Sequence, residues 1–186
     1  MTFDRSVYMF EIDDVLIPKR DYLLQVYYLF ANFVEYTEGR ELSKELLGYL
    51  TMVFEAEGED AVIPAALRQF ELEDSYLENF ERLRTNAHLP LKLFLREETK
   101  TTLLSLFAAG KKVGILTDGN PVEQLNKLKH IDWQDVSEYL PLLKVYFVKE
   151  LTFRKLVPLD FIAQDYEVSP DDVEFVTDFD DQIAPM

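Results

Sequence analysis

The sequence predicts an α/β protein, a parallel sheet with a helical subdomain inserted after its first strand. Two observations carry that expectation. The first is a set of four short apolar runs, Val7–Phe10, Val113–Leu116, Val145–Val148 and Val173–Val176, rich in β-branched or aromatic residues and ending in polar or charged ones. Continuous apolar runs of this length suit strands buried on both faces of a parallel sheet, and helical patterns between them point to βαβ units. The second is the helical stretch between the first two runs. A crossover needs only about a dozen residues, yet Lys19–Leu89, some seventy residues, reads as helix, so this stretch must pack as a unit of its own. The expected organisation is a core of residues 1–18 and 90–186 with a four-helix insertion at 19–89.

The elements follow in order. Asp21–Tyr36 is strongly apolar and helical. Leu42, Leu46, Leu47, Leu50, Val53 and Phe54 fall on one face of a second helix. Asp60 is placed to cap a third, Ala61–Phe70, with Pro64 near its first turn, and Leu72–Arg84 reads as a fourth. Gly39 and Glu57-Gly58-Glu59-Asp60 are the breaks. Arg96–Ala109 is a helix stopped by Gly110. Pro121 opens the next, with Leu125 and Leu128 on one face. Pro158–Tyr166 is a short helix, and Ser169–Asp172 turns the chain into the last strand.

Composition narrows the classes. The chain has 186 residues, 48% hydrophobic and 29% charged, with 14 Phe and 10 Tyr to fill a core. That excludes disorder, collagen and coiled coil. No apolar run approaches the roughly 18 residues of a membrane span. The first residues, MTFDRSVYMFEIDD, carry acids within their apolar stretch, unlike a signal peptide. The absence of Cys removes disulfides and thiolate chemistry, and two His, His88 and His130, exclude a His-rich metal site. A net charge of −16 repels phosphate backbones and anionic lipids, so neither nucleic acid nor a membrane surface is an expected partner. The expectation is a cytoplasmic protein.

Ligands of open parallel sheets bind beyond the C-terminal ends of the strands. Beyond the four apolar runs lie Glu11-Ile12-Asp13-Asp14, Thr117-Asp118-Gly119-Asn120, Phe153-Arg154-Lys155 and Thr177-Asp178-Phe179-Asp180-Asp181. Taken singly, each is an ordinary loop, turn or solvated charge. Taken together on one edge, carboxylates suit a hard cation, and a cation, a lysine and a hydroxyl make a phosphate clamp.

These four motifs, in this order, resemble the haloacid dehalogenase superfamily of phosphatases, in the subgroup with a helical cap inserted after the first strand. The resemblance runs from Tyr8 to Ala184. It rests on Tyr8-Met9-Phe10-Glu11-Ile12-Asp13-Asp14-Val15, on Gly114-Ile115-Leu116-Thr117-Asp118-Gly119-Asn120-Pro121 with Gln124-x-x-Lys127-Leu128 downstream, on Phe153-Arg154-Lys155-Leu156-Val157-Pro158, and on Val176-Thr177-Asp178. It implies a Rossmann-like core and a magnesium-dependent phosphomonoester phosphatase of a small phosphorylated metabolite. It also implies the roles. Glu11 stands at the nucleophile's position and Asp13 at the general acid and base. Thr117 and Lys155 hold phosphoryl oxygens. Glu11, the Asp13 carbonyl and Asp178 hold Mg2+.

The pattern departs from the family in four places. Glu11 replaces the nucleophilic Asp, Leu156 follows the lysine where Pro is usual, Thr177 precedes the final acid where Gly is usual, and only eight residues follow Asp178. A longer side chain moves the attacking carboxylate by roughly 1 Å, enough to cost about 100-fold in rate. The expected activity is therefore weak. The alternative is a catalytically inactive protein of the same fold that binds a phosphorylated ligand or a protein partner.

Overall fold

The computed structural model describes residues 3–177. The chain divides into two compact units, Met1–Lys19 with Lys92–Met186, and Arg20–Leu91.

The first unit begins with β1 (Val7–Phe10), whose four residues are all buried. The second unit then supplies α1 (Lys19–Glu38), α2 (Ser43–Glu57), α3 (Glu59–Gln69) and α4 (Ser75–Asn86). Tyr27, Phe30, Tyr76 and Phe80 form its aromatic centre, with Tyr27 stacked on Phe80 at 6.0 Å and Phe30 edge-on to Phe80 at 5.4 Å. Glu35 caps α2 across the turn, its Oε2 accepting the N–H groups of Leu42 and Ser43, each at 2.7 Å. Those hydrogen bonds, Ser43's first, hold the Glu35 carboxyl below its ordinary pKa. The expected Asp60 cap is corrected: α3 starts at Glu59, two residues before the expected Ala61, so Asp60 lies within its first turn, and Pro64 sits inside it.

The chain returns to the first unit through β2 (Leu93–Phe94), α5 (Glu97–Ala108), β3 (Lys112–Thr117), α6 (Pro121–His130) and β4 (Ile131–Asp132). A 3-10 segment, Gln134–Leu142, leads into β5 (Lys144–Phe147), α7 (Val148–Phe153), α8 (Pro158–Tyr166) and β6 (Val173–Val176). The sheet is Rossmann-like, all parallel, in the order β5-β3-β1-β6. A separate parallel pair joins β2 and β4. These two-residue strands and α7 are too short to leave a periodic signal in the sequence.

The β1 alternation sets the layers. Val7 and Met9 face a cluster with Tyr146, Val173 and the α8 residues Ile162, Ala163 and Tyr166. Gly114 in β3 lets that layer close, because a Cβ there would lie 2.7 Å from the Tyr166 hydroxyl and 2.8 Å from Met9 Cε. The Tyr166 hydroxyl donates to the Val113 carbonyl at 3.2 Å. At the sheet edge, the Tyr146 hydroxyl and Lys144 both bond Asp165, and that pairing holds the Asp165 carboxyl below its ordinary pKa. Among the described residues no helix is long and apolar enough to cross a membrane.

Candidate functional site

Parallel pairing brings the C-terminal ends of β1, β3 and β6 to one edge. Phe10 lies level with Ile115 on one side and Val176 on the other, so the next residues, Glu11 and Leu116-Thr117, emerge together. The Glu11 N–H continues the ladder to the Val176 carbonyl at 3.1 Å.

The Glu11 side chain turns back onto this edge. Its Oε1 accepts the Ile12 N–H at 2.7 Å and the Thr117 hydroxyl, and its Oε2 accepts the Asp118 N–H at 3.1 Å. The carboxylate thus sits among three donors from two strand ends. The Asp118 carboxylate accepts the Gly119 N–H at 2.7 Å. Gly119 has φ +102°, a conformation that L side chains rarely adopt.

After Glu11 the chain forms a tight loop. Ile17 N–H bonds the Ile12 carbonyl at 3.1 Å, and Ile12, Val15 and Ile17 are fully buried. Asp14 takes φ 63°, which Asp tolerates, and its Oδ1 accepts the Lys19 N–H at 3.0 Å where α1 begins. This anchoring fixes where Asp13 sits.

Asp13 belongs to a second cluster, held by α6. Asn120 caps that helix, its side chain accepting the Val122 N–H at 3.0 Å, and Pro121 occupies the first turn. Lys127 Nζ lies 2.8 Å from both Asp13 oxygens and 3.0 Å from Glu123 Oε1. Its side chain is 0% exposed, against 20% for Asp13 and 9% for Glu123. Gln124 Nε2 donates to the Asp118 carbonyl at 2.6 Å and reaches Asp13 Oδ2 at 3.3 Å. Gln124 Oε1 is buried with no hydrogen-bond partner. The expected apolar face of α6 is corrected here: Leu125 is exposed, while Glu123, Gln124, Lys127 and His130 are buried. A buried charge needs a partner more than a leucine needs burial, and Asp13 supplies it. Lys127, Gln124 and Glu123 were not among the expected site residues. Their signal was the Gln124-x-x-Lys127 pattern quoted with the resemblance, and the opposite charges of Glu123 and Lys127 one turn apart, directly after the Pro121 helix start.

Lys155 follows α7. It is exposed, at φ 59°, one residue past the end cap of α7, with its N–H bonded to the Thr152 carbonyl at 2.9 Å. Left-handed backbone at that point closes the helix. Among the described residues its side chain is hydrogen-bonded to none of Glu11, Asp13 and Thr117. Asp178, the expected third metal ligand, lies outside the described residues. Within them, no group of three or more His, Cys, Asp or Glu gathers to hold a metal ion.

Among solved structures, a candidate beta-phosphoglucomutase of Thermotoga maritima matches with a TM-score of 0.53 at 19% identity, over 91% of this chain and 74% of that one. The chain has the haloacid dehalogenase fold. A hydrolase of that family from Deinococcus radiodurans R1, with bound phosphate and sodium, gives a TM-score of 0.49 at 16% identity, over 94% and 72% of the two chains. At such identities the likeness concerns the fold. No protein-family model matches the sequence, and no curated protein matches it. Glu11 and Thr117 thus stand at adjacent strand ends of a haloacid dehalogenase-type core.

Proposed function

We propose that the protein is a slow phosphomonoester hydrolase acting on a small phosphorylated metabolite. The observation that supports it is the meeting of the Glu11 carboxylate with the Thr117 hydroxyl and the Asp118 N–H at two adjacent strand ends. A carboxylate able to attack phosphorus lies beside donors able to hold phosphoryl oxygens. In this reading a Glu11 oxygen attacks phosphorus as the bond to the leaving oxygen breaks, leaving a glutamyl phosphate. Asp13 delivers the proton to the leaving oxygen, then takes one from the water that releases inorganic phosphate. Thr117 steadies the phosphoryl group throughout.

The same geometry accounts for slowness. The Glu11 oxygens are engaged by three donors, and the Asp13 oxygens by Lys127 and Gln124. Magnesium is implied by the resemblance, and the available donors fit it in kind, since the Glu11 carboxylate and the Asp13 main-chain carbonyl are hard oxygen ligands. When bound, the ion would neutralise charge on the phosphoryl oxygens.

The test is hydrolysis of a panel of small phosphate esters, with and without magnesium, by the unmodified protein and by Glu11→Asp. The shorter side chain draws the carboxylate back from Thr117 and towards attacking distance. A rise of about 100-fold is expected, the usual return for correcting an ångström of misplacement. No hydrolysis by either protein, with the fold intact by circular dichroism, would refute the reading and favour a silent binder of phosphorylated ligands.

A further inference from the structure

Three hydrogen-bond donors converge at the C-terminal edge of the sheet, and each is satisfied by one side chain. The Ile12 N–H lies 2.7 Å from Glu11 Oε1, the Thr117 hydroxyl bonds the same oxygen, and the Asp118 N–H lies 3.1 Å from Oε2. Two amides and a hydroxyl aimed at one spot form a cradle for an oxyanion, and here an anion already fills it. We infer that the Glu11 carboxylate is an internal competitor that keeps this oxyanion cradle shut against phosphate. The inference rests on the phosphate reading of the site and gives it a regulation.

Two physical effects favour the tethered occupant. A ligand on the same chain competes at an effective concentration of about millimolar or more, which a free anion must exceed to displace it. The surroundings also repel a second anion. Asp13 and Glu123 outnumber Lys127, and the Asp118 side chain adds another acid beside the loop. Removing Glu11 frees the donors and deletes one of these charges. It leaves Lys127, 2.8 Å from Asp13, as the neighbouring cation.

Nuclear magnetic resonance of the 15N-labelled chain, titrated with inorganic phosphate, tests this. In Glu11→Ala, phosphate should shift the Ile12 and Asp118 amides saturably, binding about tenfold or more tighter than in the unmodified protein, given loss of a tethered competitor and of a like charge. Adding Thr117→Val to that variant should abolish the gain. If Glu11→Ala does not fold, Glu11→Ser is read in the same way. Equal affinity in the unmodified protein, or no saturable shift in the folded variant, overturns the inference. Failure of both variants to fold overturns it equally, because the carboxylate would then be a required structural part and not a displaceable one. The outcome is separable from that of the hydrolysis assay. A gain in phosphate affinity without ester hydrolysis by the unmodified protein or by Glu11→Asp leaves the cradle standing and the hydrolase reading fallen. Hydrolysis without the gain does the reverse.

Discussion

Lys127→Met probes the most buried charge near the site. The Lys127 side chain is fully buried and pairs with Asp13 at 2.8 Å and Glu123 at 3.0 Å. Methionine is unbranched and adaptable, so it occupies much of the same space and the cavity left is small. What remains is electrostatic: two carboxylates lose their shared cation. Breaking a buried pair by removing one partner costs about 3–5 kcal/mol. Asp13 keeps 20% of its side-chain surface exposed, so water offsets part of the loss and the lower figure, about 3 kcal/mol, applies. For a chain of this length each kcal/mol moves the melting temperature by about 2–4 °C. The expected drop is therefore about 6–12 °C, read by thermal unfolding at neutral pH under circular dichroism. Adding Asp13→Asn should recover part of the loss, because one of those two charges is removed. A drop under about 2 °C in Lys127→Met, or a further fall in the double variant, would refute the view that Lys127 is held there by its acidic partners.

Other outcomes follow from the same structure. Gly114→Ala forces a Cβ to within 2.7 Å of the Tyr166 hydroxyl and 2.8 Å of Met9 Cε, and should cost about 1–3 kcal/mol in urea unfolding, the usual range for overpacking. Lys155→Gly relieves a left-handed residue at φ 59° and should stabilise by about 0.5–1 kcal/mol in the same assay. Asp165 titrates below its ordinary value, first through the Tyr146 hydroxyl and then through Lys144. A depressed carboxyl contributes stability above its unfolded pKa and loses it as pH falls through the folded one. The stability gap between the unmodified protein and Asp165→Asn should therefore be largest near neutrality and close below about pH 4.

The sequence by itself determined the parallel α/β class. Strands buried on both faces must be continuously apolar, so Val7–Phe10 and the runs at Val113, Val145 and Val173 stand out from any helical pattern, and all four form the sheet. The strand ends were legible for the same reason: an apolar run stops where the chain meets polar surroundings, which placed Glu11 and Thr117 at one edge. Elements of two residues, such as Leu93–Phe94 and Ile131–Asp132, are shorter than any period and exist only through their pairing. The side-chain connections at the edge were decided by tertiary structure. A Glu one methylene longer than Asp is visible in the sequence, but that it folds back onto Thr117 and the Asp118 N–H depends on β1 lying beside β3. Lys155 and Lys127 carry the same charge, but one lies just past the end of α7 and the other within α6. Lys155 closes the end of α7 in left-handed backbone and is exposed, whereas Lys127 lies on the face of α6 that packs over Asp13. That Lys127 meets Asp13 is a matter of helix rotation, and rotation is set by the whole set of burial and charge-pairing demands on a helix, which no single position in the sequence records.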